Sequence, residues 1–216
     1  LKSLFNKNIL NKKDLENLAL RKPDLVFSGV KYFDFYNKTI WLNDYLENYG
    51  INYIASNKSA LDNESDKNKA KRIMKKYNVK TADFFITTPG EHSDQSLLPI
   101  KFPLFIKPVT GGDSRGIDAN SIVNDFISFE AKVLDIHLKH NSPSLVETYL
   151  SGKEYSVGIF ENSTDGILNI MPIEIIVKKN LNGHCILDFD VKKNDQEKVI
   201  PVKDIRIFNK LSKIAK

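Results

Sequence analysis

The stretch FPLFIKPVTGGDSRGI, residues 102–117, constrains this chain more than any other. Phe102 to Ile106 is apolar enough for a buried strand, yet it ends in Lys107 and Pro108 and runs into a loop holding Gly111, Gly112 and Gly116. A Walker A loop places its lysine after the glycines, as GxxxxGK[ST], whereas Lys107 precedes them on the strand itself, so a P-loop is excluded. What remains is a cation at a rigid strand end, beside a loop whose glycines let backbone N–H groups approach an anion closely. A phosphate chain suits that geometry. A lysine snorkelling from a strand end beside a surface hairpin accounts for the same stretch.

Around it the pattern changes character. DLVFSGV (24–30) predicts a buried strand, TIWLNDYLENYG (39–50) a helix closed by Gly50, and INYIAS the next strand, which is α/β logic. SDKNKAKRIMKKY predicts a charged surface helix, with Ser65 as N-cap and Asp66 in its first turn. From residue 83 onward short strands follow one another: DFFITT, FPLFIKP and, after a helix near 122–139, SLVETYL, EYSVGIF, LNIMPIEII and CILDFDVKK. Their turns, Ser151-Gly152 and Asn182-Gly183, imply an antiparallel sheet. The fold class expected is therefore α/β followed by α+β. GEHSDQSLLPIK (90–101) is expected to be a flexible connection.

Composition narrows the function classes. An apolar fraction of 41% over 216 residues suffices for a buried core. No run approaches the roughly 18 apolar residues of a membrane span, and no leader pattern is present, so a cytoplasmic protein without membrane partners is expected. Cys185 is the single cysteine, which excludes an internal disulfide and a multi-cysteine zinc cage. The net charge of +5 comes from 32 basic and 27 acidic residues interspersed along the chain, which reads as a solvated surface rather than a nucleic-acid footprint. The lysine-rich helix near residues 67–76 is the one segment that fits a polyanion. Leu1 at the start and the uncapped IFNKLSKIAK at the end are expected to mark a piece of something longer.

A second constellation lies in SLVETYLSGKEYSVGIF. Glu147 and Glu154 flank the Ser151-Gly152 turn, and strand alternation puts Tyr155, Val157 and Ile159 on one face with Glu154, Ser156 and Gly158 on the other. Apolar neighbours, a main-chain edge and an acceptor for sugar hydroxyls are what a nucleotide base and ribose need.

Taken in order, SDK, FPLFIKPVTGGDSRG, SLVETYLSGKEYSVGIF and ILDFDVKK resemble the ATP-grasp enzymes, and most closely the D-alanine-D-alanine ligases; GINYIASNKSALDNESDK is similar to that family's segment between its first two domains. The resemblance runs from about Asp24 to the end of the chain. It implies an ATP-dependent carboxylate-amine ligase of peptidoglycan biosynthesis acting through an acyl phosphate, with ATP, Mg2+, and small-molecule carboxylate and amine substrates as ligands, and a homodimer as the assembly.

Carried over residue by residue, Lys67 and Lys107 would contact the phosphates, Gly111, Gly112, Ser114 and Gly116 would form the covering loop, Glu147, Thr148, Tyr149 and Leu150 would line the adenine hinge, Glu154 would bind the ribose, and Lys192 would lie near the phosphates. Lys107 and Lys192 are the catalytic residues this implies. The division implied is 1–64 for an α/β segment, 65–143 for a small subdomain with the phosphate loop, and 144–216 for the start of a C-terminal subdomain.

The departures matter as well. Asp113 stands where the family usually has serine, Lys193 where it has tyrosine, and KYFDFYN where a His-Gly-rich segment is expected. The family's metal-holding aspartate and Glu-x-Asn pair would follow the last helix, so no metal ligand is assigned, and Asp188 and Asp190 are read as a solvated pattern on an edge strand. His137 and His140 lack the companions a zinc site needs. The alternative function is a nucleotide-binding module of the same fold that has lost ligation.

Overall fold

The computed structural model describes residues 9–35, 38–162, 165–180 and 183–215. The chain divides into two compact units, Leu1–Ser65 and Asp66–Lys216.

The first unit holds α1 (Lys12–Leu20), β1 (Val26–Phe27), β2 (Tyr32–Phe35), β3 (Lys38–Trp41), α2 (Leu42–Asn48), β4 (Tyr53–Ile54) and α3 (Lys58–Ser65). The strand expected over DLVFSGV, 24–30, is reduced to the two residues that pair in parallel with β4. The helix expected over 39–50 begins only at Leu42, because Lys38–Trp41 pairs antiparallel with β2. Cross-strand contacts decide this: Tyr32 opposes Trp41 with ring centroids 5.5 Å apart, and the Thr39 hydroxyl donates to Asp34 at 2.6 Å. Tyr36 and Asn37 of KYFDFYN lie outside the described residues. Leu15, Ala19, Leu42, Leu46 and Ile51 form the unit's core.

The second unit opens with α4 (Lys67–Lys76). Its N-cap is Asp66, not Ser65: the Asp66 side chain accepts the Lys69 N–H at 3.0 Å, while Ser65 still belongs to α3 and its hydroxyl donates to the Leu61 carbonyl. Then come β5 (Phe84–Thr87), β6 (Leu104–Pro108), β7 (Ile122–Val123), α5 (Phe126–His140) and β8 (Ser144–Thr148). The four strands make one antiparallel sheet in the order β5-β8-β6-β7. Residues 122 and 123, expected to start the helix, are held as a strand by pairing with β6, and Asp125 caps α5 by accepting the Ser128 N–H at 2.8 Å.

One face of this sheet and the inner face of α5 supply a core of Leu104, Ile106, Val123, Phe129, Val133, Ile136 and Val146. Segment 90–101 is not a loose connection. Leu98 and Ile100 pack against that core, the His92 ring lies 6.2 Å from Phe129, and the Glu91 carboxylate accepts the Thr88 N–H at 2.7 Å.

The remainder comprises β9 (Glu154–Glu161), β10 (Leu168–Ile176), α6 (Phe189–Lys193), β11 (Lys198–Pro201) and α7 (Ile205–Ala215), with a second antiparallel sheet ordered β11-β10-β9 and α7 packed on β9 and β10. CILDFDVKK is not a strand. Asp188 caps α6 by accepting the Val191 N–H at 2.9 Å, so Asp188 and Asp190 occupy a helix start instead of an edge-strand face. Asn182 of the expected turn lies outside the described residues. Among the described residues, no helix is long and apolar enough to cross a membrane.

The glycine-rich loop reverses direction through left-handed residues: Gly111 at φ +92, Asp113 and Ser114 both at +55, and Gly116 at +77. At Gly116 a Cβ would lie 2.5 Å from Cγ of Pro108, so the loop can return across the end of β6 only without a side chain there. Three substitutions test the core and this loop. Phe129→Ala, at a fully buried core position, is expected to cost about 3–5 kcal/mol, seen as a lower denaturant midpoint at unchanged slope. Gly116→Ala is expected to lower stability by more than about 1 kcal/mol. Gly112→Ala, with open space around it and no positive φ, should be close to neutral in the same melts.

Candidate functional site

Alternation along β6 sorts its side chains. Leu104, Ile106 and Pro108 are buried toward α5, and Phe105 and Lys107 emerge on the opposite face. Antiparallel register then puts Glu147 of β8 beside both Phe105 and Phe84, since residues directly opposite share a face. Helix α4 brings Lys71 to the same spot. The result is a buried ion triad: Glu147 Oε1 pairs with Lys71 Nζ at 2.5 Å, and Glu147 Oε2 pairs with Lys107 Nζ. The Lys71 ammonium also lies 4.9 Å from the Phe84 ring centroid, and that of Lys107 5.4 Å from the Phe105 ring.

The triad forms one wall of a cavity of about 520 Å³, within the usual size of small-molecule sites. Lys71, Lys80, Lys107 and Lys192 line it against Glu147 and Glu154, an excess of two positive charges. That balance favours an anion. Glu154 opens β9 with its side chain exposed, yet partial removal from water pushes its carboxyl above the usual range, an effect that attraction to Lys192 and Lys107 opposes.

The segment after β8 is fixed through its backbone. The Thr148 N–H donates to the Asp83 carbonyl at 3.0 Å and the Tyr149 N–H to the Pro103 carbonyl at 3.1 Å. The Tyr149 ring meets His184 edge-on at 5.3 Å, and burial pushes its hydroxyl up. Leu150 lines the cavity and remains largely exposed.

The cavity thus gathers Lys107, Ser114, Lys192 and Glu154 with the stretch from Glu147 to Leu150. Gly111, Gly112, Gly116 and Lys67 stand outside its lining. The Lys67 ammonium donates to the loop itself, to the Gly111 carbonyl at 2.8 Å and the Thr110 carbonyl at 3.5 Å, and the Lys67 N–H donates to the Val109 carbonyl at 3.0 Å. The loop is tied down on its other side too: the Ser114 hydroxyl donates to the Leu187 carbonyl at 2.8 Å and the Phe189 N–H to the Ile117 carbonyl at 3.3 Å. Lys193 extends over the Phe189 ring at 5.8 Å.

Sequence reasoning missed Lys71, Lys80, Thr81 and the segment from Cys185 to Leu187. One signal was available for Lys71. It lies four residues after Lys67, on the same helix face, but the lysine run around it hides which cation turns inward. Among the described residues, no group of three or more His, Cys, Asp or Glu side chains is placed to hold a metal ion.

Comparison with known proteins finds relatives of the chain. The D-alanine-D-alanine ligase of Actinobacillus pleuropneumoniae serotype 5b (strain L20) is 30% identical over 129 residues, covering 59% of this chain and 41% of that protein. That of Sinorhizobium fredii is 29% identical over 203 residues, covering 92% and 61%. The chain therefore spans only part of these relatives' length. Among solved structures, the D-alanine-D-alanine ligase of Bacillus anthracis complexed with ATP superposes with a TM-score of 0.64 at 21% identity, over 96% of this chain and 63% of that one, which establishes a shared ATP-grasp fold over that part. The family model described as D-ala D-ala ligase C-terminus matches residues 73–215, well over half of the sequence, and the chain belongs to that family.

Proposed function

We propose that this chain serves an ATP-dependent carboxylate-amine ligase of the D-alanine-D-alanine type, working in the cytoplasm. The observation that carries the reading is the Lys107 ammonium at a rigid strand end, facing a cavity with excess positive charge beside a glycine loop fastened on both flanks. Triphosphate is the anion that fits a site with a base-sized hinge at one end and lysines at the other.

In the proposed reaction, the γ-phosphoryl group of ATP passes to a carboxylate oxygen, giving an acyl phosphate and ADP. An amine then attacks the acyl carbon, the new C–N bond forms as the C–O bond to phosphate breaks, and inorganic phosphate leaves with the amine's proton released. No side-chain nucleophile is required, so positioning and charge neutralisation carry the catalysis. Lys107 and Lys192 would neutralise the phosphates, Thr148 to Leu150 would border the adenine, and Glu154 would accept ribose hydroxyls. Lys67 would act on the loop, where its ammonium already holds the Gly111 carbonyl. No magnesium step is assigned to the described residues, which gather no metal-holding cluster; the ion would arrive with the nucleotide.

Asp113 and Lys193 favour a second reading, a nucleotide-binding module without ligation, since an acid in the loop repels phosphate. Thermal melting with Mg-ATP tests the common ground. Nucleotide at about one hundred times its dissociation constant should raise stability by roughly 2.7 kcal/mol, and Lys107→Ala should remove most of that gain. An unshifted melt of the unmodified protein would sink both readings. Release of phosphate that depends on added D-alanine separates the ligase from the module.

A further inference from the structure

Lys71 and Lys107 both contact Glu147, but their surroundings differ. The Lys71 side chain is 9% exposed, and its ammonium has three acceptors: the Thr81 hydroxyl, the Ala82 carbonyl at 3.2 Å and Glu147 Oε1 at 2.5 Å. An ammonium has three N–H groups, so Lys71 has none left over. Lys107 is 20% exposed; Glu147 Oε2 is its one salt-bridge partner among the described residues, and the Glu154 carboxylate adds a longer-range attraction. Glu147, itself 9% exposed, has one oxygen on each lysine.

We infer that Lys71 is a positioning residue: it neutralises Glu147 and fixes that carboxylate, so that the charge of Lys107 stays uncompensated at the cavity wall for the incoming phosphates. The inference rests on the nucleotide reading above and adds a division of labour between the two lysines. In a triad of one carboxylate and two ammonium groups, one positive charge is surplus. The saturated, enclosed partner is Lys71, and the surplus faces the cavity through Lys107. Without Lys71, Glu147 would have Lys107 as its only counter-ion and would draw that charge away from a ligand. Lys71 would then matter to phosphate binding without touching phosphate.

The test is a double-mutant cycle on the 216-residue chain, with Mg-ADP affinity read by titration calorimetry and folding checked by melting. Lys71→Met is expected to weaken Mg-ADP binding about tenfold. Adding Glu147→Gln to it should restore binding to within about threefold of Glu147→Gln alone, because the carboxylate that captured Lys107 is gone.

A direct phosphate contact by Lys71, or a purely structural role, predicts no such rescue; a double variant as weak as Lys71→Met, or weaker, overturns the inference while leaving the nucleotide reading intact. If Lys71→Met does not fold, Glu147→Gln is compared with the double variant, in which the buried pair is removed together. Equal affinity supports action through Glu147, and a further tenfold loss refutes it. Failure of the unmodified chain to bind Mg-ADP overturns the nucleotide reading, and the inference with it.

Discussion

An ionised carboxylate on an inner strand of an antiparallel sheet must be matched by cations, and Glu147 is matched by two. Much of the second unit follows from that requirement. Helix α4 has to start where Asp66 caps it and run so that Lys71, rather than a neighbouring lysine, turns inward. The segment leading into β5 has to bring Thr81 and Ala82 against the same ammonium. Strand β6 has to continue past Phe105 to the next side chain on that face, so that Lys107 reaches the second carboxylate oxygen. Four separate elements are thereby pinned to one buried group, and the cavity is the space left in front of it.

The parts legible in the sequence are those where local pattern and tertiary role coincide. Alternating apolar residues in FPLFIKP and SLVET gave both strands and the facing of their polar side chains, because a strand's period survives whatever packs on it. Antiparallel pairing was expected of the second unit and is present, but it is divided between two sheets: β8 and β9, on either side of Ser151-Gly152, do not pair, and the strand expected over CILDFDVKK does not form.

The misreadings share a cause. Lys38–Trp41 has helix-compatible neighbours, but cross-strand aromatic contact with β2 outweighs them. CILDFDVKK alternates like a strand, yet Asp188 is better used as a helix cap. Residues 90–101 have loop composition, and their few apolar side chains were enough to seat them on the core. In each case partners distant in sequence decided the outcome. The same holds for Lys71: a run of lysines on a helix carries no mark of which one will meet a glutamate seventy-odd residues later. Glu154 was legible because strand alternation and a turn fixed its facing; Ser114 lines the cavity because of a tertiary bond to Leu187 that no local rule foretells.

The double fastening of the glycine loop has a mechanical consequence. Its first half is held by an ammonium from α4, and its second half is stitched to residues 187 and 189, just before and at the start of the helix that carries Lys192. The flap therefore cannot lift without either tearing those stitches or dragging the root of α6 along. Any displacement of the loop would therefore be transmitted to the root of the helix that carries Lys192.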